Sequence, residues 1–129
     1  MSRVVLITGA GGGIGSITAT QFAQAGDTVI VSDIKAESAS AVALALCEAA
    51  GDTTRAIALP ADVSDRGSVE ALFDNIRERF GRLDCAFNNA GIGGGGAPLL
   101  DTDDAIWDAC VSINLNGTYH CLKQEVALM

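Results

Sequence analysis

Short runs of consecutive apolar residues alternate along this chain with longer stretches whose apolar positions recur at helical spacing. Residues 4–7, 28–32, 55–59 and 83–87 read as strands. Residues 14–25 and 37–50 read as helices, and so does a segment entered through 62–65 that carries Val69, Leu72, Phe73, Ile76 and Phe80. Gly26-Asp27, Gly51-Asp52 and Gly81 mark the turns between them. After strand four come Asn88-Asn89-Ala90-Gly91 and a glycine run over 93–96, a loop with little propensity for helix or strand. A helical region then starts at 101–104 and runs, with room for a break, to Met129. It carries Ile106, Trp107, Cys110, Val111, Ile113, Leu115, Tyr119, Leu122 and Val126. Near-continuous apolar strands alternating with helices predict an α/β fold, a parallel sheet covered on both faces. No linker or repeat divides the chain, so residues 1–129 read as a single domain.

The turn after strand one narrows that class. Thr8-Gly9-Ala10-Gly11-Gly12-Gly13-Ile14-Gly15 lies between a strand and a helix, the arrangement that sets a pyrophosphate on unpaired N–H groups and the positive end of a helix dipole. A flexible loop is the competing reading. The spacing does not fit G-x-G-x-x-G, whose closing position would be Ile14 or, one frame later, Ser16. It fits T-G-x-x-x-G-x-G, with Gly9, Gly13 and Gly15 fixed. A Rossmann-type, doubly wound parallel sheet follows, with a strand order beginning 3-2-1-4. Four strands leave strand four as an unpaired edge, next to a helix that should cross to a fifth. The chain therefore reads as truncated after the helix that follows strand four.

Composition removes several classes. Sixteen acidic against eight basic residues give a net charge of −8, which argues against a nucleic-acid or anionic-membrane partner, since either needs a basic face. A dinucleotide remains compatible, because backbone N–H groups supply the local attraction. Cys47, Cys85, Cys110 and Cys121 include no C-x-x-C pair and sit in apolar stretches, so reduced core thiols are expected, and no metal site. The apolar run before the glycines is too short for a signal peptide, and nothing reaches a membrane-spanning length. The expected location is cytoplasmic.

Two acidic positions carry chemistry. Asp33, at the end of strand two, can accept hydrogen bonds from both adenosine ribose hydroxyls and repel a 2′-phosphate, which favours NAD(H) over NADP(H). Lys35 nearby weighs the other way, and capping of the next helix is a competing role for Asp33. Asp62-Val63, past strand three, could set a carboxylate on the adenine amino group and an aliphatic side chain against its ring; equally, Asp62 could cap a turn.

Taken in order, Thr8-Gly-x-x-x-Gly-Ile-Gly15, Asp33, Asp62-Val63, Asn88-Asn89-Ala90-Gly91 and Ser112-Ile113-Asn114-Leu115-Asn116-Gly117 resemble the amino-terminal part of the classical short-chain dehydrogenases/reductases. The resemblance covers essentially the whole chain. It implies a nicotinamide-dependent oxidoreductase that interconverts alcohols and ketones. On that resemblance Gly9, Gly12, Gly13, Ile14 and Gly15 hold the pyrophosphate, Asp33 the ribose, and Asp62 and Val63 the adenine. Asn89, Ala90 and Gly91 line the cofactor and tie strand four to the sheet. Asn114 matches the asparagine that helps organise a proton relay, the one catalytic residue assigned here.

The family also uses a serine and a Tyr-x-x-x-Lys pair, the lysine lowering the pKa of the tyrosine that moves the proton. Tyr119 and Lys123 have that spacing but are rejected as the pair. They share a helix with Asn114, whereas the family pair follows a later strand. The family serine lies roughly a dozen residues before its tyrosine, and here that position falls on Ile106 and Trp107. Tyr119 is expected to pack, as the aromatic common at that position does. His120 has no triad or metal partner in the sequence and is expected to be exposed or at a subunit contact. The leading reading is the cofactor-binding part of an NAD-dependent enzyme acting on a small alcohol or ketone, inactive alone. It forms a homo-oligomer through its C-terminal helix, as the resemblance implies. The alternative is a truncated, catalytically inactive protein that binds NAD or a partner subunit. Substrate identity lies in loops beyond strands four and five, of which only residues 93–100 are present.

Overall fold

The computed structural model describes residues 2–129. Four parallel strands, β1 (Val4–Ile7), β2 (Thr28–Val31), β3 (Ala56–Ala58) and β4 (Cys85–Phe87), form one sheet in the order β3-β2-β1-β4. That is the expected doubly wound order. The strands are shorter than the apolar runs that predict them. Ladder-type hydrogen bonds nevertheless continue past their ends, from Leu59 N to Val31 O at 3.0 Å and from Asp84 N to Val4 O at 2.9 Å.

Alternation along the strands sorts the core into two faces. Val5, Ile7, Val29 and Val31 meet α1 (Gly13–Gln24) and α2 (Ala36–Ala50). Those helices bury mainly alanines on this side, Ala19, Ala23, Ala39 and Ala43, with Leu46. Val4, Leu6 and Ile30 face the other way, against α3 (Arg66–Phe80) and the C-terminal helix, where Val69, Leu72, Phe73, Ile76 and Cys121 fill the space.

Helix ends follow their sequence signals. Asp65 caps α3 by accepting from Gly67 N at 2.9 Å, and Gly81 ends that helix in the left-handed region at φ 65°. By contrast α1 starts at Gly12 with no side-chain cap and no acidic residue in its first turn.

The C-terminal helical region is one run of three parts: α4 (Asp104–Cys110), a π-helical segment (Val111–Gly117) and α5 (Thr118–Leu128). The break is therefore a widened turn in place of an interruption. A 3₁₀ turn (Leu99–Asp101), not expected from the sequence, precedes α4 and leaves Leu99 and Leu100 almost fully exposed. The four cysteines are free, but only Cys121 is buried. The other three are half-buried, at the margins of the core, where Cys47 donates to the carbonyls of Thr53 and Ala56. Among the described residues, no helix is long and apolar enough to cross a membrane.

Candidate functional site

The carboxyl ends of the four strands open into a cleft of about 500 Å³. Its position follows from topology: the chain runs from β1 out to β2 and β3 on one side, then returns from β3 to β4 on the other side of β1, so the loops leaving the neighbouring strands β1 and β4 splay apart. Of the residues singled out by sequence, Gly9, Gly12, Ile14, Asp33, Asp62, Val63, Asn89, Ala90 and Gly91 line it. Gly13, Gly15 and Asn114 do not.

The glycine turn has two kinds of glycine. Over Gly12 and Gly13 a side chain would meet only open space. Gly9 and Gly15 are packed tight. Gly9 sits at φ 63°, and a Cβ there would lie 2.8 Å from the Ala90 backbone; one on Gly15 would collide with the carbonyl oxygen of Gly9 and come within 2.7 Å of Asn89 Nδ2. Gly15 thus lets α1 pack behind the turn and is not part of the cleft wall.

Gly11, read from the sequence as a variable position, is as constrained. A Cβ there would stand 2.9 Å from the Asp33 carboxyl and 2.7 Å from Ser38 Cβ. No sequence signal distinguishes it, because the obstruction comes from the segment after β2 and from α2.

Asp33 does not cap α2, whose N-cap is Lys35. Its Oδ2 accepts from Gly11 N at 2.9 Å and its Oδ1 from Lys35 N at 3.0 Å. The carboxylate is thereby pinned beside the glycine turn, and each oxygen keeps further lone-pair directions for a ligand hydroxyl. Asp62 does hold a turn. Its Oδ1 accepts from Ser64 N at 3.0 Å and Ser64 Oγ at 2.6 Å. Val63 is buried, with Gly117 of the π-helical segment close against it.

Asn89 joins β4 to the glycine turn. Its Nδ2 donates to Thr8 O at 3.2 Å and Gly9 O at 3.1 Å, while Thr8 Oγ1 accepts from the backbone N–H groups of Asn89 and Ala90, both at 3.1 Å. Asn114 stands one step back. Its Oδ1 accepts from Ile92 N at 2.8 Å and its Nδ2 donates to Ile92 O at 2.9 Å, so it clamps the loop segment after β4 that forms the cleft's rim. The π-helical turn sets Asn114 at that rim, a placement that recurs for such turns at functional sites.

Tyr119 and Lys123 line a separate groove of about 190 Å³ between α3 and α5. Tyr119 is half exposed, with its ring tilted against His120, and so is not the packed aromatic expected. His120 is half-buried, its Nδ1 3.0 Å from the carbonyl oxygen of Val63, a bond the sequence did not indicate. A carbonyl only accepts, so Nδ1 carries the proton. Sequence reasoning gave Asn88 no role of its own within its motif and did not single out Glu125; the two are joined by a part-buried hydrogen bond of 3.1 Å. Among the described residues, no group of three or more His, Cys, Asp or Glu side chains is placed to hold a metal.

The family model for short chain dehydrogenase matches residues 3–129. Levodione reductase of Leifsonia aquatica is 42% identical over 127 residues, covering 98% of this chain and 47% of that protein. The 3beta-hydroxysteroid dehydrogenase of Mediterraneibacter gnavus is 38% identical over 127 residues, covering 98% and 45% respectively. Among solved structures, the 3-ketoacyl-(acyl-carrier-protein) reductase of Brucella melitensis complexed with NADH superposes with a TM-score of 0.90 at 31% identity, covering 98% of this chain and 49% of that one. The chain spans about half the length of the curated relatives it matches.

Proposed function

Because this chain belongs to the short-chain dehydrogenase/reductase family, we propose that it forms the dinucleotide-holding part of an NAD-dependent oxidoreductase interconverting a small alcohol and a ketone. Its 129 residues make up the amino-terminal portion of one Rossmann-type domain in that reading, supported by the match to about half of each relative. The cofactor, when bound, supplies or takes the hydride. The residues of this chain bind and orient it.

The fit rests on the glycine turn. Helix α1 begins without a side-chain cap, so its first N–H groups remain available to an anion, and the space over Gly12 is open. Gly9, Gly13, Ile14 and Gly15 shape the turn around that position. Asp62 and Val63 form the adenine end of the cleft, and Asn89, Ala90 and Gly91 its middle wall. Asn114 acts through Ile92, holding the rim toward the nicotinamide end.

The single observation that carries the choice of cofactor is the anchored carboxylate of Asp33. Two backbone N–H groups fix it in the cleft, where it accepts hydroxyl groups and repels a phosphate on the same ribose. Fluorescence titration, with Trp107 as reporter, should show NADH binding more tightly than NADPH. Asp33→Asn keeps an acceptor oxygen but removes the charge, and should shrink that preference about tenfold. Equal affinities in the unaltered protein would overturn the NAD assignment.

The placement of Tyr119 and Lys123 in another groove supports a reading in which catalysis requires groups other than these two. The exposed Leu115, Leu122 and Val126 support a subunit contact along the C-terminal helix, in a cytoplasmic homo-oligomer.

A further inference from the structure

Helix α5 buries one charged residue type. Glu125 is 3% exposed and lies on the same face as Gly117 and Cys121, which are buried too. Its Oε2 accepts from Asn88 Nδ2 at 3.1 Å. The two remaining oxygens of the pair, Glu125 Oε1 and Asn88 Oδ1, are both buried and have no hydrogen-bond partner. An ionised carboxylate offers acceptors only, so in that form a charge and two acceptors would stay uncompensated inside the protein. A carboxylic acid carries one donor, and one donor is what the pair lacks.

The surroundings agree with the neutral form. Helix α3 contributes Val69, Phe73 and Ile76 to this face of the core, and β1 contributes Val4 and Leu6. The titratable neighbour on α5 is Cys121, whose thiol is pushed up to about 12 by burial and by Glu125, and is therefore uncharged. Burial raises the Glu125 carboxyl above the ordinary glutamate range, against a smaller opposing pull from Asn88.

Asn88 directly follows β4 and precedes the residues that line the cleft. We propose that Asn88 and Glu125 form a reciprocal acid–amide pair, closed by one proton on Glu125, that positions the 88–91 turn against the glycine turn. Glu125 is then a positioning residue: it acts through Asn88 on Asn89 and Ala90, whose N–H groups are held by Thr8 Oγ1.

Carbon NMR of the glutamate carboxyls in the intact protein, together with amide exchange at Asn89 and Ala90 over the same pH range, tests this without any cofactor present. Because the folded value lies above the unfolded one, the latch is complete below the ordinary glutamate range and is lost as pH rises through the folded midpoint. The Glu125 carboxyl should titrate above that range, and protection of Asn89 and Ala90 relative to an unstructured peptide should fall roughly tenfold across the same interval. Glu125→Gln keeps a donor and an acceptor without a titrating proton, and should hold the protection at its low-pH level throughout. A Glu125 midpoint at or below the ordinary range overturns the proposal, and so does an equal loss of protection in Glu125→Gln. If that variant fails to fold, the titration of the unaltered protein still decides. Failure of NADH to bind would count against the cofactor reading and leave these two measurements untouched.

Discussion

The two ends of the sheet use the same residue type in opposite ways. At the amino ends of the strands Asp27 and Asp84 meet arginines. Asp27, 4% exposed, accepts from Arg3 Nη2 at 2.6 Å and Nε at 3.1 Å. Asp84 accepts from Arg82 Nη2 at 2.7 Å and from Val4 N at 2.7 Å. At the carboxyl ends Asp33 and Asp62 are held by backbone N–H groups and a serine hydroxyl. An arginine neutralises a carboxylate as it orients it, whereas an amide orients it and leaves the charge in place. One end is thereby built for cohesion, and the other keeps negative charge that the proposed function uses for recognition.

The contrast breaks most completely at the glycine turn. Gly15→Ala forces a methyl group into the Gly9 carbonyl and should cost about 3 kcal/mol, the upper end of overpacking. Thermal unfolding should show the loss, accompanied by loss of NADH binding. Next in size is Asp27→Asn, which should lower Tm and leave the NADH-to-NADPH ratio unaltered. The Arg3 hydrogen bond holds the Asp27 carboxyl below its ordinary range, so its contribution is complete above that range and disappears as pH falls through the folded value. Unfolding curves from neutral to acid pH should accordingly be flatter for Asp27→Asn than for the unaltered protein. Asp33→Asn should do the reverse, shifting cofactor preference with little change in Tm. If the two substitutions had the same effects, the division between the ends would be wrong. The smallest effect is expected for Tyr119→Phe, within about 0.5 kcal/mol in stability and without change in NADH affinity.

Most of the architecture was legible because it is written at short range. Strand alternation sorts Val5 and Ile7 from Val4 and Leu6, and the glycine spacing marks where β1 hands over to α1. Asp33 was legible from its place after β2. What escaped depends on contacts between distant segments. Gly11 must be glycine because Asp33 and Ser38 arrive beside it, and neither the turn nor its spacing encodes that approach. Glu125 belongs to none of the motifs and was not singled out. The signal that could have found it is its spacing of four from Cys121 and eight from Gly117, the buried row of α5. Asn114 sits outside the cleft lining, since a motif match names a position and gives no direction for its side chain. The half-burial of Cys47, Cys85 and Cys110 reflects their place at the margins of layers, which apolar neighbours in sequence do not reveal.

The widened turn between α4 and α5 also governs which side chains α5 buries. A π turn takes in one residue more than an α turn, and each residue of an α-helix advances the side-chain direction by about 100°. Val111–Gly117 therefore works as a phase shifter between two helical screws. Draw that segment into α geometry with every residue kept and α4 fixed, and each later side chain turns on by about 100°. His120 would then face the seat of Cys121, and Gln124 that of Glu125. The row behind β4 would carry an imidazole and an amide in place of a thiol and an acid. The extra residue of one widened turn thus sets which side chain meets Asn88 at the back of the cleft.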